Sequence, residues 1–597
     1  MSVAERNNIT ETWESIDYEP SLPVSEKSNP LSRDLDRASA NQIVRILQAC
    51  DMQMFEKEDS NGQYQRILSD SVLKSVMEVA LRVEEILKNP ENSLIVLSGC
   101  GTSGRLAFLI TRCFNKALKQ LSKQSVYTYI IAGGDRALFT SKESHEDDPK
   151  MGMLHLKEVC EGKKHVLYIG ISCGLSAPFV AGQLDFCLQH LNIYTPVLIG
   201  FNPANQTRSD PMQGCTFTFY DVVQRMQEAA THQKAFIINP AVGPEALSGS
   251  SRMKGGSATK ILLEVILQAA HGAAFAHRPI TPQSIHDHMD VYVKCLDLTY
   301  AQPEYMATMI KSAGESLQSG RHVCYLGWDS LGILGLIDAS ECISTFGADY
   351  HDIRGFVSGG FSALDNNEGP LTSLVSNYRI SHEDFLNNVL PSLNDKDTVI
   401  LLYTEFDDQS EVSEISARVR EKNCKLHSIV HCSENGSAVE KKVEINSLTG
   451  SDSLQRMQWE LTTKLTLNAI STGAHVLKGK IYQNYMIDLQ VTNSKLYRRA
   501  ARLLQKFSGQ TEIQCHEALL KAIYEVEELN DSIKLKNIFA HTKIASKRSK
   551  IVPLALVCLL TGCSLVEAGS SLENQPIIRD AVTACLTQNK HQNIKNN

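Results

Sequence analysis

The chain has 597 residues, 43% hydrophobic and 21% charged, with a formal net charge of -8 and an isoelectric point near 6.2. At about 150 residues per domain it has room for roughly three or four domains. The acidic balance excludes the basic face that a nucleic-acid binder needs. No run reaches the ~18 consecutive apolar residues of a membrane span, so neither nucleic acid nor membrane is expected as a partner. The 16 cysteines show no CxxC pair and no Cys/His ligand spacing. They read as reduced thiols of an intracellular protein, with no metal and no cofactor expected.

Residues 1–40 are polar and read as a leader, loosely ordered over the first 35. A helical segment, 41–82, follows, and apolar spacing over 66–88 predicts an entry helix. Short apolar runs at 94–97, 126–131, 165–171 and 196–201 then alternate with helical patterns. That alternation predicts βαβ units with a parallel sheet, a first α/β domain over 83–280. A helical linker is expected at 281–312. The pattern restarts over 313–485, with strands at 323–326, 399–403 and 426–431 and a helix at 331–345. Residues 486–597 carry helical patterns at 493–507, 511–530 and 553–571, with Pro553 suited to a first turn. They predict an all-helical cap or lid. The basic run at 547–550 reads as a solvated face rather than a targeting signal.

The two α/β stretches repeat each other. Ile131-Ala132-Gly133-Gly134 recurs as Val357-Ser358-Gly359-Gly360. Arg252-Met253 with Lys260 recurs as Arg456-Met457 with Lys464 at the same spacing, and the turn at 99–106 recurs at 327–334. Two homologous domains are therefore expected.

The chemistry concentrates at turns. Gly101, Thr102, Ser103 and Gly104 follow a strand and open a helix. Glycines let the backbone approach a ligand, and the helix N-terminus presents free N–H groups to an anion. The segment also fits G-x-G-x-x-G, but a dinucleotide site wants an acid about 20 residues on, and Asp135 lies about 30 past Gly104. Paired hydroxyls suit a phosphomonoester better. Two further turns could face the same ligand: Ser172, Cys173, Gly174 and Ser176, and Ser250 with Ser251 before Arg252. Either alone reads as an N-cap; three such turns in one domain point to a phosphate cradle.

GTSGR, the AGG turn with Glu143 and Glu146, and SGSSRMK resemble the bacterial N-acetylmuramic acid 6-phosphate etherases. Segments around Asp338–Cys342 and Val491–Leu496 resemble the same family. The length, the duplication, the helical cap, ISCGLSAPFVAGQ and ISTGAHVLKGKIYQN resemble the animal glucokinase regulatory proteins more closely, over about residues 35 to 570. The resemblance implies two sugar-isomerase-type domains and a phosphosugar site. It also implies glucokinase as partner, fructose 6-phosphate and fructose 1-phosphate as opposing effectors, and a location in nucleus and cytoplasm. Glu146 and Glu341 would touch the sugar.

The copies divide the residues. Copy one keeps Thr102-Ser103-Gly104 where copy two has Ser330-Leu331-Gly332 after Trp328-Asp329. Copy two keeps Glu341 where copy one has Cys113, while Glu146 corresponds to Thr372. One composite site is expected, with Lys495 of the cap as a point charge for a dianion. The expectation is a regulator and enzyme inhibitor without catalytic residues. An etherase-like lyase is the alternative, weakened because the etherase Gly-Arg-Thr appears here as Gly174-Leu175-Ser176. An isomerase would need a ring-opening His, for which only His145 is near.

Overall fold

The structure, a computed structural model, describes residues 12–15, 17–58, 64–140, 143–369, 371, 379–432, 442–446 and 452–585. It contains two five-stranded parallel sheets. The first comprises β1 (Ser93–Gly99), β2 (Tyr127–Ile131), β3 (His165–Ile171), β4 (Tyr194–Ile199) and β5 (Phe236–Ile238), ordered β2-β1-β3-β4-β5. The second comprises β6 (Val323–Gly327), β7 (Ile353–Val357), β8 (Thr398–Thr404), β9 (Lys425–Cys432) and β10 (Lys442–Asn446), ordered β10-β9-β8-β6-β7. Read from its other edge, that is the same topology strand for strand. β1 and β3 are near-continuous apolar runs because helices cover both faces of a parallel sheet.

Each sheet's first strand leads into a helix, Gly101–Gln120 in copy one and Asp329–Phe346 in copy two. The long helices Lys254–Ala276 and Asp452–Leu477 complete the copies. The stretch expected to be a linker forms two helices, Pro282–Thr299 and Pro303–Gln318, that belong to the core. Ile285, Met289 and Tyr292 are fully buried. Gly314 and Gly473 let Pro303–Gln318 lie close against Asp452–Leu477; a Cβ at either would come within 2.6 Å of Leu477 or Ile310.

Two expectations are corrected. The leader is not loose where it is described. Val24, Asn29, Ser32 and Leu35 are fully buried, and Asn29 and Ser32 bond the carbonyls of Pro244 and Ala246 at 2.8 and 2.7 Å. Its polar side chains satisfy buried backbone groups of copy one, a pattern without periodicity. In the cap, Ser494–Ser508 and Glu512–Tyr524 stand near the predicted spans, but 553–571 is two helices, Ile551–Thr561 and Leu565–Asn574, bent by 111°. Gly562 ends the first at φ +71°, and a Ser564/Glu567 capping box starts the second.

Where the copies meet, the fully buried Lys260 ammonium pairs with Glu264 of its own helix and, at 3.0 Å, with Glu460 of copy two. Tyr292 donates to Glu264 at 2.9 Å. One cation cannot fully compensate two buried carboxylates. Burial, with repulsion from Glu460, pushes the Glu264 carboxyl up to about 7. A carboxyl raised on folding contributes stability that is full below its unfolded value and is lost as pH rises toward 7. Compared by denaturant titration from pH 5 to 7.5, Glu264→Gln should therefore lack a component of stability that falls with pH in the wild type, so its stability relative to the wild type should rise with pH.

Candidate functional site

The site begins where β1 ends. Cys100 is extended, and Gly101 then turns at φ +49°, which costs glycine nothing. Gly104 has a packing duty: a Cβ there would lie 2.6 Å from Ile131 Cγ1 and 2.7 Å from the Gly99 carbonyl. The helix start is thereby held tight against the sheet, and Gly101 and Thr102 line a cavity of about 100 Å³.

Three parts of the chain close this cavity. Copy one supplies Cys100, Gly101, Thr102, Arg105, Glu146 and the turn Gly249, Ser250, Ser251, Arg252; copy two supplies Glu341, Ser344 and Thr345; the cap supplies Asn493, Lys495 and Arg499. Thr102 Oγ1 donates to Glu341 Oε1 at 2.5 Å, across the two copies. Lys495 Nζ donates to Glu146 Oε1 at 2.8 Å, joining cap to copy one. Arg105 Nη1 lies 3.8 Å from Glu341 Oε1 while its other nitrogens bond the carbonyls of Ala137 and Thr140 at 3.0 Å. The Ser250 hydroxyl is buried without a hydrogen-bond partner among the described residues.

Four cations, Arg105, Arg252, Lys495 and Arg499, thus surround two carboxylates, Glu146 and Glu341. Burial, only partly offset by Arg105 and Arg252, raises the Glu341 carboxyl above its ordinary value. Burial would lower Lys495, but Glu146 outweighs it and holds the ammonium above its ordinary value. Arg252 and Arg499 are also paired from outside the cavity, by Asp338 and Glu26. Cations beside a helix N-terminus and a set of hydroxyls still suit a small polyhydroxylated anion. The carboxylates can accept hydrogen bonds from its hydroxyl groups.

The expected residues fall into two groups. Gly101, Thr102, Glu146, Ser250, Ser251, Glu341 and Lys495 line the cavity. Ser103 and Cys173 stand together behind the turn, Oγ to Sγ 3.6 Å, with Cys173 also 3.8 Å from Thr259 Oγ1. Burial raises the Cys173 thiol, so it packs as a small apolar group. Gly104, Ser172, Gly174 and Ser176 are not on the cavity wall. Ser172 Oγ accepts the amides of Ser176 and Ala177 at 3.1 and 3.2 Å, which closes the turn ahead of the helix Pro178–Gln189. Gly174 is covered by Ser25 of the N-terminal segment, and Asn202 of copy one bonds both Ser25 and the Gly174 carbonyl. Thr372, and the side chain of Glu143, lie outside the described residues.

Arg105, Arg252, Asn493 and Arg499 were not singled out as ligand contacts by sequence. Arg105 and Arg252 at least stand inside the recognised motifs, whereas Arg499 looks like one of many basic residues on an amphipathic helix. Asp135, the candidate acid of a dinucleotide site, is consumed by structure. It accepts from Tyr129 Oη at 2.6 Å and, on its other oxygen, from Asn366 Nδ2 and the Glu368 amide at 2.7 Å.

Comparison with known proteins agrees with this architecture. Three family profiles match: the "Glucokinase regulatory protein N-terminal SIS domain" over 78–188, the "Glucokinase regulatory protein, second SIS domain" over 300–478, and the "C-terminal lid domain of glucokinase regulatory protein" over 483–582. The chain is 45% identical to the glucokinase regulatory protein of Xenopus laevis over 587 residues, covering 96% of this chain and 95% of that one. It is 45% identical to the human glucokinase regulatory protein over 588 residues, covering 96% and 94%. An N-acetylmuramic acid 6-phosphate etherase of Erwinia tasmaniensis is 31% identical over 233 residues, 37% of this chain and 71% of that enzyme. Two SIS domains in tandem, a helical lid and similarity along nearly the whole length establish that the chain belongs to the glucokinase regulatory protein family.

Proposed function

We propose that this chain is a sugar-phosphate-responsive inhibitor of glucokinase, promoted by fructose 6-phosphate and relieved by fructose 1-phosphate, acting in nucleus and cytoplasm. The observation that carries the reading is the 2.5 Å bond from Thr102 of copy one to Glu341 of copy two, in a cavity that the cap closes with Lys495. The phosphate would take the Thr102 turn, Ser250, Ser251 and Lys495, and Glu146 and Glu341 would accept from the sugar hydroxyls. A ligand held by three parts at once can bias their arrangement, and two sugars that prefer different arrangements then have opposite effects on an outer surface. The etherase alternative is disfavoured by the family assignment.

The test is glucokinase activity at sub-saturating glucose, titrated with this protein and with each fructose phosphate. Inhibition strengthened by the 6-phosphate and weakened by the 1-phosphate is expected. Absence of inhibition in all conditions would overturn the reading and make lactate release from N-acetylmuramic acid 6-phosphate the next assay. Fluorescence imaging of the tagged full chain tests the dual location.

Arg499 supports a further prediction. It lines the cavity, yet its Nε and Nη2 are held by Glu26 of the N-terminal segment at 3.1 and 2.5 Å, with Arg502 also on that carboxylate. Glu26 and a bound phosphate would compete for the same guanidinium. Glu26→Gln should therefore tighten fructose phosphate binding several-fold in a calorimetric titration.

A further inference from the structure

The turn of copy two has lost its hydroxyl pair but not its shape. Asp329 stands at φ +47°, against +49° for Gly101 at the corresponding place. Leu331 and Gly332 amides reach the Trp328 carbonyl at 3.1 and 3.4 Å, as Ser103 and Gly104 reach that of Cys100 at 3.1 and 3.4 Å. An aspartate has been put into a backbone conformation that glycine takes freely and other residues take at a cost.

The aspartate side chain is fully engaged. Its Oδ1 accepts from Arg112 Nη2 at 2.7 Å, and its Oδ2 accepts from Lys116 Nζ at 2.9 Å and Arg456 Nη2 at 2.5 Å. Arg112 and Lys116 project from the copy-one helix Gly101–Gln120, just as Glu341 projects from the copy-two helix into the first site. Arg456 is the repeat counterpart of Arg252, which lines that first site. The surroundings are thus the reciprocal half of a two-site arrangement, a turn from one copy completed by the partner copy's helix. Attraction from three cations outweighs burial and holds the Asp329 carboxyl well below the usual carboxylate range.

We propose that the turn of copy two remains an anion-binding site whose anion is the Asp329 carboxylate of the chain itself, an internal ligand that fastens the two copies together and keeps phosphate out. Three cations converge on one carboxylate from both copies. The strained backbone is the geometry needed to deliver that carboxylate into the place an external oxyanion would occupy. The ligand class the emptied site would take is a small tetrahedral oxyanion such as phosphate. The inference does not depend on which sugar the first site accepts.

Asp329→Gly removes the carboxylate and relieves the positive φ. It should be made in the Ser103→Phe background, so that the first site is blocked, and titrated with inorganic phosphate at constant ionic strength set by chloride. One phosphate per chain and a phosphate-specific rise in melting temperature are expected, with neither effect in Ser103→Phe alone. Loss of both effects on adding Arg456→Met would place the phosphate in this cradle. No phosphate binding by the Asp329→Gly protein, or equal binding with Asp329 present, would overturn the proposal. Should the double variant not fold, Asp329→Gly alone must bind one phosphate more per chain than the wild type. Asp329→Asn, which keeps the shape and removes the charge, should lower the melting temperature; a melting temperature unchanged from the wild type would also overturn it.

Discussion

Arg252→Met is expected to destabilise the folded chain by about 3–5 kcal/mol, the magnitude for removing one member of a buried ion pair. Arg252 is 3% exposed. Its Nη1 donates to Asp338 Oδ1 at 3.0 Å and Ser471 at 3.2 Å, and its Nη2 to Thr472 at 2.7 Å. Asp338 is equally buried, and its other side-chain donors among the described residues are neutral: Asn468 Nδ2 at 2.8 Å, Ser471 Oγ at 3.1 Å and Tyr325 Oη at 3.3 Å. The methionine would fill most of the space, so the cost comes from leaving a carboxylate in the core without its cation. Urea denaturation gives the loss directly. The double variant Arg252→Met with Asp338→Asn should recover most of it, because the stranded charge is then gone. Additive losses in the two single variants would mean that the pair contributes nothing as a pair.

Ser103→Phe should reduce fructose phosphate binding by at least about 100-fold, roughly 2.7 kcal/mol of binding free energy. Ser103 is 6% exposed, with Cys173 Sγ 3.6 Å from its hydroxyl. A Cβ on Gly99 would already lie 2.6 Å from that of Ser103, so a phenyl ring cannot be taken up toward the strand. It would displace the turn that carries Thr102. Overpacking of this kind costs about 1–3 kcal/mol of stability, which the fold can carry. The matching substitution in copy two, Leu331→Ala, separates binding from stability. Leu331 is a core residue, 1% exposed, and its truncation should cost about 2–5 kcal/mol without changing sugar affinity. Loss of binding there, with Ser103→Phe still competent, would assign the live site to the other copy.

The parts of the fold legible in the sequence were those with apolar runs or repeated turns. Central strands β1, β3, β6 and β8 are uninterrupted apolar segments and stood out. β5 has only three residues, and β7 is broken by Arg354 and Gly355, so neither rises above its surroundings. β5 and β7, like β10, are edge strands, paired on one side only. The candidate site was legible where backbone geometry dictates residue type, at Gly101 and at the serines of the 250 turn. It was opaque where a side chain arrives from far along the chain. Arg499 and Glu26 lie 473 positions apart, and nothing local in either segment announces their contact. Ser172 shows the converse: a serine in a phosphate-like turn can be occupied by the amides of its own turn.

The composite nature of the site is tested most directly by calorimetric titration of fructose 1-phosphate into the wild-type chain and into Glu341→Gln. Glu341 belongs to copy two, yet it bonds Thr102 of the copy-one turn. A single site shared between the copies predicts one sugar phosphate per chain and an affinity lowered at least about tenfold by Glu341→Gln. Two sugar phosphates per wild-type chain, or an affinity that Glu341→Gln leaves unchanged, would contradict it.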